Sequence, residues 1–406
     1  MLICICTGFT SGLPLYIIYQ LVPLWLRDAG VGLKEIGFFA LVGIPYTWKF
    51  IWSPVMDRYS LPFLGRRRGW MLLTQLLLAA SIAMLGWFNP VDAIWTIAWL
   101  CVALAVFSAS QDIVIDAFRR ELLDEQQLGL GNTIHIQAYR IAGLVPGAMA
   151  PMLADVLDWR WVFISVSVFM LVGIAMSLSV RERSELSQQP RSLQESFVEP
   201  LREFFQRRGA RYALLVLAFM LLYKLGDSMA TALSYPFYYD LGFSKSQIGL
   251  VAKNAALWSA IAGGFLAIPL MARLGINKCL WIFGFVQITS ILGFWVLAQV
   301  GANSLVLAAV IAFEYLGVGL GTAAFTGYIA RETSVQFAAT QFALLTAITA
   351  LPRTFANALT GIIVEQLGWS NFFLLCTLVA VPGMLLLFRV APWSAASTDS
   401  GSPPGD

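Results

Sequence analysis

Asp112 and Asp116 stand four residues apart in the apolar stretch 94–118, with Ser108 one turn earlier and Gln111 beside them. At helical spacing the two acids share a face. Two carboxylates that close in a low dielectric resist double ionisation, which a proton carrier requires, so Asp112 and Asp116 are the expected proton-coupling residues. The competing reading neutralises each acid with a base: Lys49 or Arg140 for Asp112, Arg119 or Arg120 for Asp116. A second pair, Lys224 and Asp227, lies three residues apart near the middle of another apolar stretch, either as an intrahelical ion pair or as part of a binding site. Lys253 beside Asn254, and Arg353 after Pro352, add donors suited to carboxylates and amides. The planar fork of Arg353 makes it the better carboxylate anchor. Tyr16 and Gln20, and Tyr46 near Lys49, are residue types that stack on or hydrogen-bond a sugar, although most membrane tyrosines only anchor at the interface. The expected substrate-binding set is Tyr16, Gln20, Tyr46, Lys49, Gln111, Arg140, Lys224, Asp227, Lys253 and Arg353.

What these residues share is their setting. Of 406 residues 59% are hydrophobic and 12% charged, against roughly 25% charged in an ordinary soluble domain. Lipid-facing helices need no polar coat, and each crossing takes about 20 apolar residues. Apolar segments of that length fall at about 2–22, 35–56, 70–88, 94–118, 131–154 and 160–180, and again at about 211–239, 247–271, 278–299, 304–330, 337–366 and 370–390. The expected fold is all-α, twelve transmembrane helices in two six-helix halves: 1–180 and 211–391, joined by a central loop 181–210 and followed by a disordered polar tail 392–406.

Each ionisable residue inside a span costs about 2.5–3.5 kcal/mol on insertion scales and faces the bundle interior. The chain has nine: Lys49, Asp112, Asp116, Arg140, Lys224, Asp227, Lys253, Glu314 and Arg353. Five bases against four acids leave the interior slightly positive, which favours a solute with carboxylates.

Seventeen Lys and Arg residues fall on one set of alternate loops and ends, and only Arg27, Lys34, Arg160 and Lys245 on the other. Basic residues of short loops stay inside, so both termini and the central loop are expected to be cytoplasmic. The apolar start lacks a basic n-region and a cleavage site, so it reads as the first span, with a short cytoplasmic segment expected ahead of it.

Several chemistries are excluded. His135 is the only histidine, which rules out a His-rich metal set and a Ser-His-Asp triad; it reads as a satisfied interface residue. Cys4, Cys6, Cys101, Cys279 and Cys376 have no metal or disulfide spacing and read as small apolar side chains. No Gly-rich phosphate loop is present, so transport driven by ATP on this chain is excluded. Basic residues form no stripe with interleaved aromatics, so nucleic acid is not an expected partner. An enzyme, a cofactor and a metal are therefore not expected, and the carboxylate pair Asp112 and Asp116 points to coupling with the proton motive force. The expected partners are a small solute, protons and the lipid bilayer, with the chain acting as a monomer.

The loop after the second segment reads Ser53-Pro54-Val55-Met56-Asp57-Arg58, then Gly65-Arg66-Arg67-Arg68-Gly69. It resembles the Asp-Arg and Gly-Arg-Arg signature of major facilitator transporters, and Ala272-Arg273-Leu274-Gly275 is a degenerate copy one half later. Asp57 and Arg58, with Arg119 beside Asp116, are the expected gating residues, because such pairs form in only one state of a cycle. The glycines of Gly317-Val318-Gly319-Leu320-Gly321 and Gly143-Leu144-Val145-Pro146-Gly147 read as close-packing positions. In the second run the proline precedes the last glycine, unlike the Gly-x-x-x-Gly-Pro of antiporter-type exporters.

Longer strings resemble the AmpG-type permeases within that superfamily. They are Gly8-Phe9-Thr10-Ser11-Gly12-Leu13-Pro14, Lys49-Phe50-Ile51-Trp52-Ser53-Pro54, Ser108-Ala109-Ser110-Gln111-Asp112-Ile113-Val114, Leu222-Tyr223-Lys224-Leu225-Gly226-Asp227 and Ala339-Thr340-Gln341-Phe342. The resemblance spans essentially the whole chain. It implies proton-driven import of GlcNAc-anhydroMurNAc peptides across the bacterial inner membrane, for peptidoglycan recycling and, in some bacteria, β-lactamase induction. The chain departs from the family in its short N-terminus and in a polar tail without the extra spans of some relatives. The rival reading is a carrier of the same fold for another anionic solute, such as a peptide or an acyl-CoA.

Overall fold

The structure is a computed structural model that describes residues 1–59, 61, 64–123, 125–180, 193–207, 209–334 and 338–393. Among the described residues every regular element is helical. Eight helices among the described residues are long and apolar enough to cross a membrane. Two of these reverse direction, at Gly275 (φ 79°, ψ 162°) and at Gly368 (φ 74°, ψ 163°). A positive φ of this kind suits glycine, so each of the two supplies a pair of crossings. Two further crossings are too interrupted or too polar to stand out by length and hydropathy, which brings the described crossings to twelve.

The first half contains span 1 (Leu2–Asp28), span 2 (33–58), span 3 (Arg66–Leu85), span 4 (Ile94–Leu122), span 5 (125–153) and span 6 (Trp159–Ser179). The second contains span 7 (Ala210–Asp240), spans 8 and 9 (245–274 and 276–300), span 10 (Ser304–Glu332), and spans 11 and 12 (338–367 and 369–390). Span 2 is assembled from five short helical pieces, with prolines at Pro45 and Pro54. Span 5 is broken by a π-helical turn, Val145–Met149.

The connection between halves differs from a plain loop, because Leu193–Arg207 forms a helix. Its Phe204 is buried against the second half, and Gln341 Nε2 donates to Pro200 O at 2.8 Å and to Glu203 Oε2 at 2.5 Å. Gln341 Oε1 also accepts from Ser334 N at 2.7 Å, so one amide ties this helix to span 11. The expected tail lies outside the described residues from 394 on.

The exterior is apolar, with Trp95 77% and Leu305 80% exposed, as lipid-facing surface requires. Each half buries aromatic residues at the end opposite the arginine-rich loops: Trp25 packs on Phe163 at 4.9 Å in the first, Phe237 on Phe373 at 4.7 Å in the second. The cysteines are all free, four of them buried and Cys6 partly so. His135 Nδ1 pairs with Thr7 Oγ1 at 3.2 Å, joining spans 5 and 1.

Candidate functional site

Three π-helical turns converge where the halves meet: Ile17–Leu21 in span 1, Val145–Met149 in span 5 and Ile248–Ala252 in span 8. A π turn shifts every following side chain around its helix, and such turns concentrate at functional sites. Here they bring Gln20, Gly147 and Lys253 together. Lys253 Nζ donates to Gln20 Oε1 at 2.9 Å and lies 4.0 Å from the centre of the Tyr16 ring. Tyr235 Oη sits 3.1 Å from Gly147 O and 3.3 Å from Gln20 Oε1, dividing its one proton between them. Tyr139 packs on Tyr16 with ring centres 5.7 Å apart. Lys253 is only 5% exposed, and no carboxylate comes within 4.0 Å of it among the described residues.

Gly143 and Gly147 make this arrangement possible. A Cβ on Gly143 would run into Lys253 Nζ and the Tyr16 ring, and one on Gly147 into Gln20 and the Lys253 stem. Their role is to admit a side chain from the other half, beyond the close helix packing expected of them.

Toward the arginine-rich end, Asp112 accepts from Ser11 Oγ at 2.5 Å, and its other oxygen is 3.9 Å from Lys49 Nζ. Spans 1, 2 and 4 thus meet at one carboxylate. Close by, Tyr46 Oη, Ser108 Oγ and both amide atoms of Gln111 are buried without a hydrogen-bond partner. Buried polar atoms are normally satisfied, so this group awaits water or polar atoms of a solute. Asp116 does not join it in the interior. Its side chain is 52% exposed and accepts from Arg119 Nη2 at 2.9 Å, so it reaches the surface while the Arg119 side chain stays largely buried behind it. Arg140 lies within electrostatic reach of Tyr16 rather than pairing with Asp112. The side chains of Asp57 and Arg58 lie outside the described residues.

In the second half the helix of span 7 breaks at Lys224 (φ −105°, ψ −2°), so Lys224 and Asp227 project from a loosened turn. Their Nζ and Oδ2 are 3.5 Å apart. Asn357 Nδ2 donates to Ser228 Oγ at 2.9 Å, and Arg353, in electrostatic reach of Asp227, donates from Nε to Thr349 O at 3.1 Å.

The sequence reading left three features out of the site. Tyr235 closes the central knot. Glu314, an in-span charge and fallback proton site outside the expected set, is fully buried beside Asp227. At the end opposite the arginine-rich loops, a polar latch spans the halves. Arg27 pairs with Asp240 at 2.6 Å, and Asp28 accepts from Trp159 Nε1 at 2.7 Å, Tyr239 Oη at 2.8 Å and Lys245 Nζ at 3.1 Å. The signal available was positional: acids and bases stand at the matching ends of spans 1 and 7, which occupy corresponding places in the two halves.

Residues 4–352 match the Major Facilitator Superfamily. The chain is 40% identical to the anhydromuropeptide permease of Escherichia coli K12 across 94% of its own length and 77% of that protein. It is 46% identical to an uncharacterised protein of Haemophilus influenzae over 99% and 97% of the two chains, and 29% identical to a putative AmpG transporter of Rickettsia conorii over 94% of each. In structure it is similar to a D-xylose–proton symporter, at a TM-score of 0.72 and 13% identity, covering 96% of this chain and 97% of that one. A peptide-transporter-family protein solved with a thioalcohol-conjugated peptide gives a TM-score of 0.70 at 12% identity, covering 97% and 96%. Matching the superfamily along most of its length and an AmpG-type relative at this identity, the chain is a multi-pass membrane transporter, not an enzyme, and belongs to the AmpG-type family of the major facilitator superfamily.

Proposed function

We propose that the protein imports GlcNAc-anhydroMurNAc peptides across the bacterial inner membrane into the cytoplasm, coupled to inward proton flow. The arginine-rich loops are read as cytoplasmic, so the latch of Arg27, Asp28, Asp240 and Lys245 closes the periplasmic end. The observation that carries the reading is Lys253: a buried ammonium between the halves, facing tyrosines and an amide, with no acid beside it among the described residues. A buried cation without a counter-charge is costly unless a ligand supplies one, and the peptide carboxylates of a muropeptide do so. Tyr16, Tyr139 and Tyr46 offer faces and hydroxyls to the sugar rings, and the unpaired amide of Gln111 suits an acetamido or peptide group. Arg353 and Lys224 supply further positive charge on the opposite wall. Asp112, held by Ser11 and near Lys49, is the proton-coupling residue in the first half.

Uptake of labelled anhydromuropeptide into proteoliposomes under an imposed inward proton gradient tests this. Accumulation above the outside level, collapsed by a protonophore, is the expected result. Accumulation of a free peptide or an acyl-CoA, with none of the muropeptide, would hand the assignment to the rival carrier reading.

A further inference from the structure

Glu314, fully buried in span 10, has no part in the reading above. Its Oε2 accepts from Ser290 Oγ at 2.5 Å, and its Oε1 is buried with no partner. The Asp227 carboxyl, close enough to Glu314 for a side-chain hydrogen bond if one of the two carries a proton, repeats the pattern: Oδ2 lies 3.5 Å from Lys224 Nζ, and Oδ1 is buried with no donor beside it. Each acid has one satisfied and one orphaned oxygen. Two ionised carboxylates are acceptors only, so they would face each other with both orphans unmet and two negative charges together in a dry site. One proton removes both defects, because the O–H of one acid donates to the orphaned oxygen of the other.

The charge count gives that proton a consequence. The ionisable groups facing the pair are Tyr223, Lys224 and Tyr238 on span 7, Tyr315 on span 10, Arg353 on span 11 and Cys376 on span 12. Span 9 presents the uncharged Ser290. Only Lys224 and Arg353 are cations. With one proton the acid pair carries a single negative charge, which Lys224 balances, and Arg353 is left over. Without the proton the pair carries two, and both cations are needed. Among the described residues Arg353 makes one hydrogen bond, from Nε, so its outer nitrogens are available for either role.

We propose that Asp227 and Glu314 share one proton, whose arrival frees Arg353 to hold a carboxylate of the solute and whose departure draws Arg353 back. The proton moves from water to a carboxylate oxygen and returns to water on the other side, with no other bond changed. This rests on the proton-coupled reading above and adds a second coupling element, in the half opposite Asp112. The glycines of span 10 serve it: Gly317 and Gly321 leave space for Gln287 and Ser290, and a Cβ on Gly321 would displace Gln287.

Infrared difference spectra of the full-length protein between acid and alkaline buffer read the proton directly, with no solute present. Wild type is expected to show a carboxylic-acid C=O band that alkali removes; Glu314→Gln and Asp227→Asn each lose that component, while Asp112→Asn keeps it. A band unchanged in both Glu314→Gln and Asp227→Asn overturns the proposal. In proteoliposomes Glu314→Gln, which mimics the protonated acid, should lower gradient-driven accumulation by about tenfold or more relative to its own rate of solute exchange. Undiminished accumulation overturns it as well. A wild type that shows the band yet moves no muropeptide would sink the substrate assignment and leave the shared proton standing.

Discussion

In the proposed transport cycle Lys253 holds charge and Asp112 moves it. Replacing Lys253 by Met keeps most of its stem volume against Gly143 and Gly147 but removes the ammonium. Hydrogen bonds to charged groups are worth about 1.5–3 kcal/mol, so solute affinity should fall by about 10–100-fold, read as a raised KM in exchange assays with the maximal rate largely kept. Asp112→Asn preserves the acceptor for Ser11 but cannot ionise. Proton-driven accumulation should disappear while exchange persists, and survival of accumulation would leave coupling to Asp227 and Glu314 alone. The candidate charges were legible in the sequence because each is expensive in lipid and so betrays an interior position. Their charged partners were legible too, Lys49 for Asp112, Arg119 for Asp116 and Lys224 for Asp227, but their depths were not. Asp116 shares a helical face with Asp112, yet one further turn carries it out to Arg119 and half-exposure; periodicity gives the face of a side chain and not its depth.

At the scale of helices, hydropathy gave the crossings their approximate places, because a lipid exterior demands long apolar runs whatever the sequence does inside. The interruptions escaped it. The π turns at 17–21, 145–149 and 248–252 are shifts in backbone hydrogen bonding with no compositional mark, yet they are what turns Gln20, Gly147 and Lys253 toward one another. Glycine was the legible trace of close contact, without saying whether a helix or a side chain would come close. Gly319 is the helix case: a Cβ there would strike Ala260 O and the backbone at Gly263 and Gly264, so spans 10 and 8 touch main chain to main chain. Gly319→Val should push them apart and cost about 1–3 kcal/mol, the usual range for overpacking. The buried thiols of Cys279 and Cys376 report it in a thermal unfolding assay with a thiol-reactive dye, where the midpoint should drop. An unchanged midpoint would mean that the crossing is looser than drawn.

For the molecule as a whole, what matters is where the two halves hold each other. Hydrogen bonds that join them between described residues run from the level of Lys253 to the end opposite the arginine-rich loops: Gln20–Lys253, Gln20–Tyr235, Gly147–Tyr235, Arg27–Asp240, Asp28–Lys245, Asp28–Tyr239, Lys34–Glu365 and Asp155–Ser246. The bonds of Arg68 to Ser177 O and of Arg331 to Asn277, at the arginine-rich end, stay within one half. This pairing depends on how two finished bundles dock, which no pattern inside either half encodes. In the proposed orientation the structure is closed to the periplasm, and Asp28 is the hub of the closure, taking donors from span 6, span 7 and the start of span 8. Asp28→Asn removes the charge that Lys245 answers. A tenfold shift in a two-state equilibrium takes about 1.4 kcal/mol, within the range of one charge-assisted hydrogen bond, so the outward-open population should rise by about that factor. With the five native cysteines replaced and Gln20→Cys as reporter, a membrane-impermeant maleimide added from the periplasmic face should label the Asp28→Asn protein about tenfold faster than its parent. Equal labelling rates would show that Arg27–Asp240 and Lys34–Glu365 keep that end shut without the hub, and the role assigned to Asp28 would fall.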